Sequence, residues 1–243
     1  MPERGRTAVV DGEHHVRAVL FTGSARYADP WHPFAETSAR LGELLAEAGV
    51  EVELHERVET AFAALDGARL LVVNAGDPDG PGADGGPARP PAGREQAAVV
   101  AGEAQLRAAV DRGIGILVMH AGVSSLREFG VFGEAIGGRW VRGGSWHPPY
   151  GDAHVRFVGE HPIRSTLVDA VVQDERYTDL EFTGPVEVIA EHDEGGRSHP
   201  LVWARELGRA RVVVDLLGHD AASYEAPGHR ELLRRSIDWL LQR

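Results

Sequence analysis

Apolar residues in this 243-residue chain fall into short, nearly unbroken blocks separated by longer amphipathic stretches. The clearest block is Ile114-Gly115-Ile116-Leu117-Val118-Met119, which ends abruptly at His120. Six residues is strand length, and continuous apolarity predicts a strand buried on both faces. Comparable blocks predict strands at 17–21, 69–74 and 211–217, while Val, Glu, Val, Glu, Leu at 50–54 alternates as a half-buried strand does. Helical spacing follows Trp31-His32-Pro33 through Phe34, Leu41, Leu44 and Leu45, with Gly49 as its stop. Further helices are predicted at 58–65, 94–112 and 230–241. After His120, Ser125 and Glu128 have capping-box spacing, which predicts a helix beginning there and closing at Gly137-Gly138.

Strand and helix alternate through the first half, which implies a doubly wound, mainly parallel α/β sheet with right-handed crossovers. The second half is richer in strands, at 155–158, 186–190 and 201–204, with 171–177 leading through Gln173-Asp174-Glu175, and it is expected to add antiparallel strands at one edge of the same sheet. Residues 1–16 are expected to be a flexible leader and 17–243 a single α/β domain. Residues 76–93 are almost all Gly, Pro, Asp, Ala and Arg, far longer than the usual loop of ~4–6 residues. That insert reads either as a lid over a site or as a disordered surface insertion.

Composition removes several chemistries. There is no cysteine, so disulfides, thiolate metal ligands and thiol nucleophiles are excluded. The net charge of −12 with no basic stripe argues against nucleic acid and anionic lipid as partners. No apolar run reaches membrane-spanning length, and the amino terminus has no signal-like core, so a cytoplasmic protein is expected. Gly-x-Ser-x-Gly, phosphate-loop and His-Glu-x-x-His patterns are absent, and no Gly-x-Gly-x-x-Gly opens the first helix, so no nucleotide cofactor is expected.

What remains is imidazole and carboxylate. His32 precedes the first helix, His120 follows the 114–119 strand and His219 follows the 211–217 strand, so in a doubly wound sheet all three lie on one rim. Asp174, Glu175 and Tyr177 form a polar cluster with Asp220 as a neighbour, and Asn74 ends a strand on the same rim. Such groups suit general acid–base catalysis, with a carboxylate fixing the tautomer of its histidine. A divalent metal ion held by His120 and His32 is the candidate cofactor. His147, His161 and His199 each precede proline and read first as turn backbone, and the histidines at 14, 15, 55, 154, 192 and 229 are expected on the surface.

Gly113–His120, Ile136-Gly137-Gly138, His161-Pro162-Ile163, Asp174-Glu175-Arg176-Tyr177, Pro200-Leu201-Val202-Trp203 and Gly208–Val212 leading to Leu217-Gly218-His219-Asp220 together resemble the ThuA-like (trehalose utilisation) family. This family lies within the class I glutamine amidotransferase-like superfamily. The resemblance implies a three-layer, flavodoxin-like fold with His120 where amidotransferases carry their nucleophilic cysteine. Without cysteine, glutamine hydrolysis through a thioester is excluded. It also implies carbohydrate catabolism: hydrolysis or elimination on a glycoside or 3-keto-glycoside, with a small-molecule carbohydrate as partner. His120, Glu175, Asp174 and His219 are then the expected catalytic groups. His32, Tyr177, Trp203, Asp220 and Asn74 are the expected substrate contacts, with Tyr177 and Trp203 facing the sugar ring. The alternative is a non-catalytic sugar-binding or regulatory protein. Assembly into a homo-oligomer is compatible with either.

Overall fold

The computed structural model describes residues 16–80 and 93–243. All of the expected leader but Val16, and residues 81–92 of the Gly/Pro-rich insert, lie outside the described residues. Eleven strands are formed there: β1 (Val16–Thr22), β2 (Val50–His55), β3 (Leu70–Asn74), β4 (Gly115–Met119), β5 (Gly138–Arg139), β6 (Gly151–Phe157), β7 (Ala170–Asp174), β8 (Glu181–Phe182), β9 (Glu187–Glu194), β10 (Arg197–Leu207) and β11 (Ala210–Asp215). The helices are α1 (Phe34–Glu47), α2 (Val58–Ala63), α3 (Gly93–Arg112), α4 (Gly130–Ile136), α5 (Ala221–Glu225) and α6 (Pro227–Leu241).

Nine strands make one sheet in the order β2-β1-β3-β4-β11-β10-β9-β6-β7. The five from β2 to β11 run parallel, and the four beyond β11 pair antiparallel. This is the expected mainly parallel sheet with an antiparallel edge. The apolar blocks explain the order. Every residue of β3 and β4 is buried, whereas β2 at the edge alternates. Helices α1, α5 and α6 pack together over one face, and α2, α3 and α4 over the other, giving three layers. In the middle, Gly115 lets β4 approach α6, since a Cβ there would lie 2.9 Å from the Leu240 carbonyl oxygen. Strands β9 and β10 form a hairpin whose turn uses Gly195 and Gly196, both at positive φ.

The segment after His120 departs from expectation. His120–Ser124 is a single 3-10 turn, and the α-helix begins only at Gly130 with Phe129 as its N-cap. Ser125 and Glu128 form no capping box. The Ser125 hydroxyl has no hydrogen-bond partner, and Glu128 accepts the Tyr27 hydroxyl instead. A local pairing was displaced by a tertiary one. No helix among the described residues is long and apolar enough to cross a membrane.

Candidate functional site

The carboxyl ends of β1, β4 and β11 deliver the loops carrying His32, His120 and His219, and the end of β7 delivers Glu175. His120 follows β4 without a spacer and sits at φ 42°, a left-handed conformation that a side-chain-bearing residue adopts only under constraint. Its ring Nδ1 lies 2.7 Å from the Leu216 carbonyl oxygen, just beyond β11. His32 is oriented by Asp29, whose carboxylate accepts from the Trp31 and His32 amides and from His32 Nδ1 at 2.7–2.8 Å. Asp29 and His32 are therefore locked as one unit by a turn that the aspartate itself caps.

The three imidazoles meet. Ring centroids are 5.0 Å apart for His32–His120 and His32–His219, and 5.4 Å for His120–His219. Glu175 Oε2 lies 3.4 Å from both His120 Nε2 and His219 Nδ1, and its Oε1 lies 3.7 Å from His147 Nδ1. One ligand atom from each of His32, His120, Glu175 and His219 falls within 4.8 Å of all the others, so these four can hold a metal ion. The expected metal pair, His120 and His32, is thus joined by two further donors.

The electrostatics follow from burial and from these contacts. Burial pushes the Glu175 carboxyl up, but His120 and His219 against it hold it well below the usual carboxylate range. Burial lowers His219, and the Glu175 contact more than offsets this, leaving it raised. His32 is lowered, because burial outweighs its bond to Asp29. Tyr177, enclosed and close to Glu175, is raised well above its ordinary value and remains a phenol. Its hydroxyl is 3.5 Å from His32 Nε2 and its ring 4.5 Å from that of His120.

A cleft of about 450 Å³ opens on this cluster. Trp31, Trp140 and Tyr177 give it aromatic walls, and Asp29, His32, His147, Glu175, Asp77 and Arg142 supply its polar groups. Arg142 pairs with Asp77 at 2.8 Å on its rim.

Four expected site residues, Asp174, Trp203, Asn74 and Asp220, do not line the cleft, although Asp174 Oδ1 lies 3.9 Å from His120 Nδ1. Asp174 is wholly buried behind the cluster. Its carboxylate accepts the Gly218 and His219 amides at 2.7 and 3.3 Å, so it positions the His219 loop and does not reach the cleft. Trp203 is fully buried with its indole N–H on the Ile136 carbonyl at 2.8 Å, and cannot face a sugar. Asn74 is 2% exposed and spends its amide on Thr37 and Ser38, tying β3 to α1. Asp220 caps α5 through the Ala222 amide at 2.9 Å.

Sequence reasoning missed Asp29, Trp140 and His147. The spacing Asp29-x-x-His32 beside Pro30, and the aromatic and proline density around Trp146-His147-Pro148, were the available signals. Two histidines expected on the surface, His192 and His229, are 1% exposed. His192 stacks on its cross-strand partner His199 and bonds the Tyr177 carbonyl at 3.1 Å.

A family model described as ThuA, trehalose utilisation, matches residues 17–240. Among solved structures, the chain resembles a ThuA-like protein from Parabacteroides merdae ATCC 43184, with a TM-score of 0.72 and 17% identity, covering 93% of this chain and 90% of that one. A ThuA-like protein from Bacteroides uniformis ATCC 8492 follows at TM-score 0.70 and 15% identity, covering 97% and 95%. A cytoplasmic protein from Salmonella typhimurium LT2 aligns at TM-score 0.64 and 12% identity, covering 92% and 99%. No curated protein matches the sequence.

Proposed function

The chain belongs to the ThuA family of trehalose-utilisation proteins, and from that premise we propose that it is a cytoplasmic carbohydrate-catabolism enzyme cleaving a 3-keto-glycoside by elimination. The single observation that carries the chemistry is the cluster of His32, His120, His219 and Glu175, two of whose members, His32 and Glu175, line an aromatic-walled cleft. A sugar ring stacks against Trp31 and Trp140, the aromatic side chains that line the cleft and keep exposed surface, with its polar edge toward the imidazoles.

A 3-keto group acidifies the C–H at C2. We assign the removal of that proton to His147. It lines the cleft, and its Nδ1 lies 3.0 Å from the Pro148 carbonyl oxygen, which leaves Nε2 as the basic nitrogen. The C–H electron pair becomes a C1–C2 double bond as the C1–O bond breaks, and the departing glycosidic oxygen takes the proton from the His147 imidazolium. The products are an enone and an alcohol, with no oxidant or reductant consumed. The enolate oxygen that develops meanwhile needs positive charge or hydrogen-bond donors, and the cluster with the Tyr177 phenol is the polar region within reach. Glu175, 3.4 Å from both His120 and His219, serves to hold the imidazoles.

The test is incubation with 3-keto-glucosides and their unoxidised counterparts, with and without divalent metal ions. Release of the aglycone only from the 3-keto series, with loss of the C2 proton to solvent, is the expected result. Hydrolysis of unoxidised glycosides at equal rate refutes elimination. The aromatic walls alone support a second reading, non-catalytic sugar binding, and measurable sugar affinity without turnover of any of these compounds establishes it over the first.

A further inference from the structure

We infer that His32, His120, His219 and Glu175 form a binding site for one first-row divalent transition-metal ion, with Asp29 and the Leu216 carbonyl as the groups that orient its ligands. Tautomers decide the case. A carbonyl oxygen can only accept, so His120 Nδ1, 2.7 Å from Leu216 O, carries the proton. The neutral ring then presents a bare lone pair at Nε2. That atom has no hydrogen-bond partner although His120 is 2% exposed, and it points at Glu175 Oε2 across 3.4 Å. His32 repeats the arrangement: Nδ1 donates to the Asp29 carboxylate, leaving Nε2 as its ligand atom. His219 Nδ1 is also buried without a partner and lies 3.4 Å from the same oxygen.

The bare Nε2 atoms of His120 and His32, His219 Nδ1 and a carboxylate oxygen converge on one small volume, an arrangement that a cation satisfies in place of shared protons. Bonds of about 2.0–2.2 Å in a tetrahedral arrangement place neighbouring ligand atoms roughly 3.3–3.5 Å apart, and the two Glu175–histidine separations already have that value. The bonds from the distal ring nitrogens of His120 and His32 to a backbone carbonyl and a carboxylate are the usual support of metal-binding histidines. Asp174 adds to it by pinning the Gly218 and His219 amides. Three imidazoles and one carboxylate suit zinc, cobalt, nickel or iron better than magnesium or calcium. A cation in this cluster would supply the positive charge that an enolate oxygen requires.

The inference makes no assumption about the substrate. A chain that binds the ion and cleaves no glycoside keeps this site and loses the function proposed above, whereas a chain that cleaves 3-keto-glycosides after complete chelation loses this site's role alone. The experiment is titration of chelator-stripped full-length protein with cobalt(II), followed by its visible absorption and by calorimetry. One equivalent per chain is expected, with d–d bands of four- or five-coordinate cobalt and a raised melting temperature. Glu175→Gln and His120→Ala are expected to abolish stoichiometric binding, and Asp29→Asn to weaken it about 10–100-fold. His154→Ala, at an exposed position on β6, should leave it unchanged. Where His120→Ala fails to fold, Glu175→Gln, which keeps the side chain's shape, carries the same test. Absence of stoichiometric cobalt binding by the stripped wild type, or full retention of it in folded Glu175→Gln, overturns the site, because the cluster is then held together by shared protons.

Discussion

His120 and His229 grip the same strand end. His120 holds the Leu216 carbonyl and His229 the Asp215 carboxylate, and the two side chains are almost equally enclosed, at 2% and 1% exposure. Their surroundings differ in one respect. Both ring nitrogens of His229 are occupied, Nε2 by Asp215 at 3.1 Å and Nδ1 by the Ser223 carbonyl and hydroxyl at 3.0 and 2.9 Å. The order Ser223–His229–Asp215 imitates a nucleophilic triad, yet all three side chains are sealed from any substrate. His120 instead leaves Nε2 without a hydrogen bond, 3.4 Å from Glu175 Oε2. Burial therefore does not separate a working histidine from a structural one, whereas an unsatisfied nitrogen aimed at other donors does.

The sharpest way to break the comparison is to remove each histidine's function in turn. His120→Ala, which dismantles the cluster that stabilises the enolate, is expected to lower turnover of a 3-keto-glucoside by about 10²–10³-fold while the protein still melts cooperatively. Steady-state kinetics beside a thermal scan checks both halves. Full activity in a folded variant would show that the unsatisfied nitrogen has no chemical task.

On the other side of the strand end the loss is expected in stability. Asp215→Ala strands the His229 imidazolium in the core and frees the Leu217 amide that Asp215 also holds at 3.0 Å. Removing one partner of a buried ion pair costs about 3–5 kcal/mol. The urea midpoint should drop accordingly, and an unchanged midpoint would mean that the pair is not charged.

Much of this was legible in the sequence, and the reasons are physical. Strands buried on both faces advertise themselves as apolar blocks, so β1, β3, β4 and β11 were visible, and with them the rim positions of His32, His120 and His219. Glu175 and Tyr177 were caught because polar residues cluster at a strand end. Asp174, Asn74, Trp203 and Asp220 carried the same residue chemistry in equally suggestive places, but their partners are 44, 37, 67 and 2 residues away. Except for Asp220, whose cap is local, only the folded chain shows that these groups are already spent. The β9–β10 hairpin marks its turn with Gly195-Gly196, yet which of its residues face inward depends on a register irregular around Pro200–Trp203. That is why His192 was misplaced on the surface.

A gentler probe of the His229 side is pH. Burial alone pushes His229 down, but the Asp215 carboxylate, with Asp174 beyond it, raises it above the ordinary histidine value. The Tyr224 phenol that packs on its ring, 5.5 Å away, is itself raised by burial and stays neutral. The folded state thus binds this proton more tightly than the unfolded chain does. The resulting stabilisation is fully present below the unfolded value of about 6.5 and is lost as pH rises through the folded value. Chemical denaturation between pH 6 and 9 should show wild-type stability falling relative to His229→Gln. A constant difference between the two across that range would remove the charged pair from the account.

The smallest effect is expected at Asp220, where the substrate-binding expectation and the observed role can be told apart directly. The residue sits next to His219 in sequence, but its side chain accepts the Ala222 amide and begins α5. Replacing an N-cap aspartate by alanine costs about 1 kcal/mol, within a range of roughly 0.5–2. Asp220→Ala should therefore lower the melting temperature modestly and leave KM for the sugar within experimental error. Asp220→Asn or Asp220→Ser, which keep a capping oxygen, should recover most of that stability. A raised KM in the serine variant, with its stability restored, would return Asp220 to the substrate side of the cleft, because a cap alone has no way to sense the ligand.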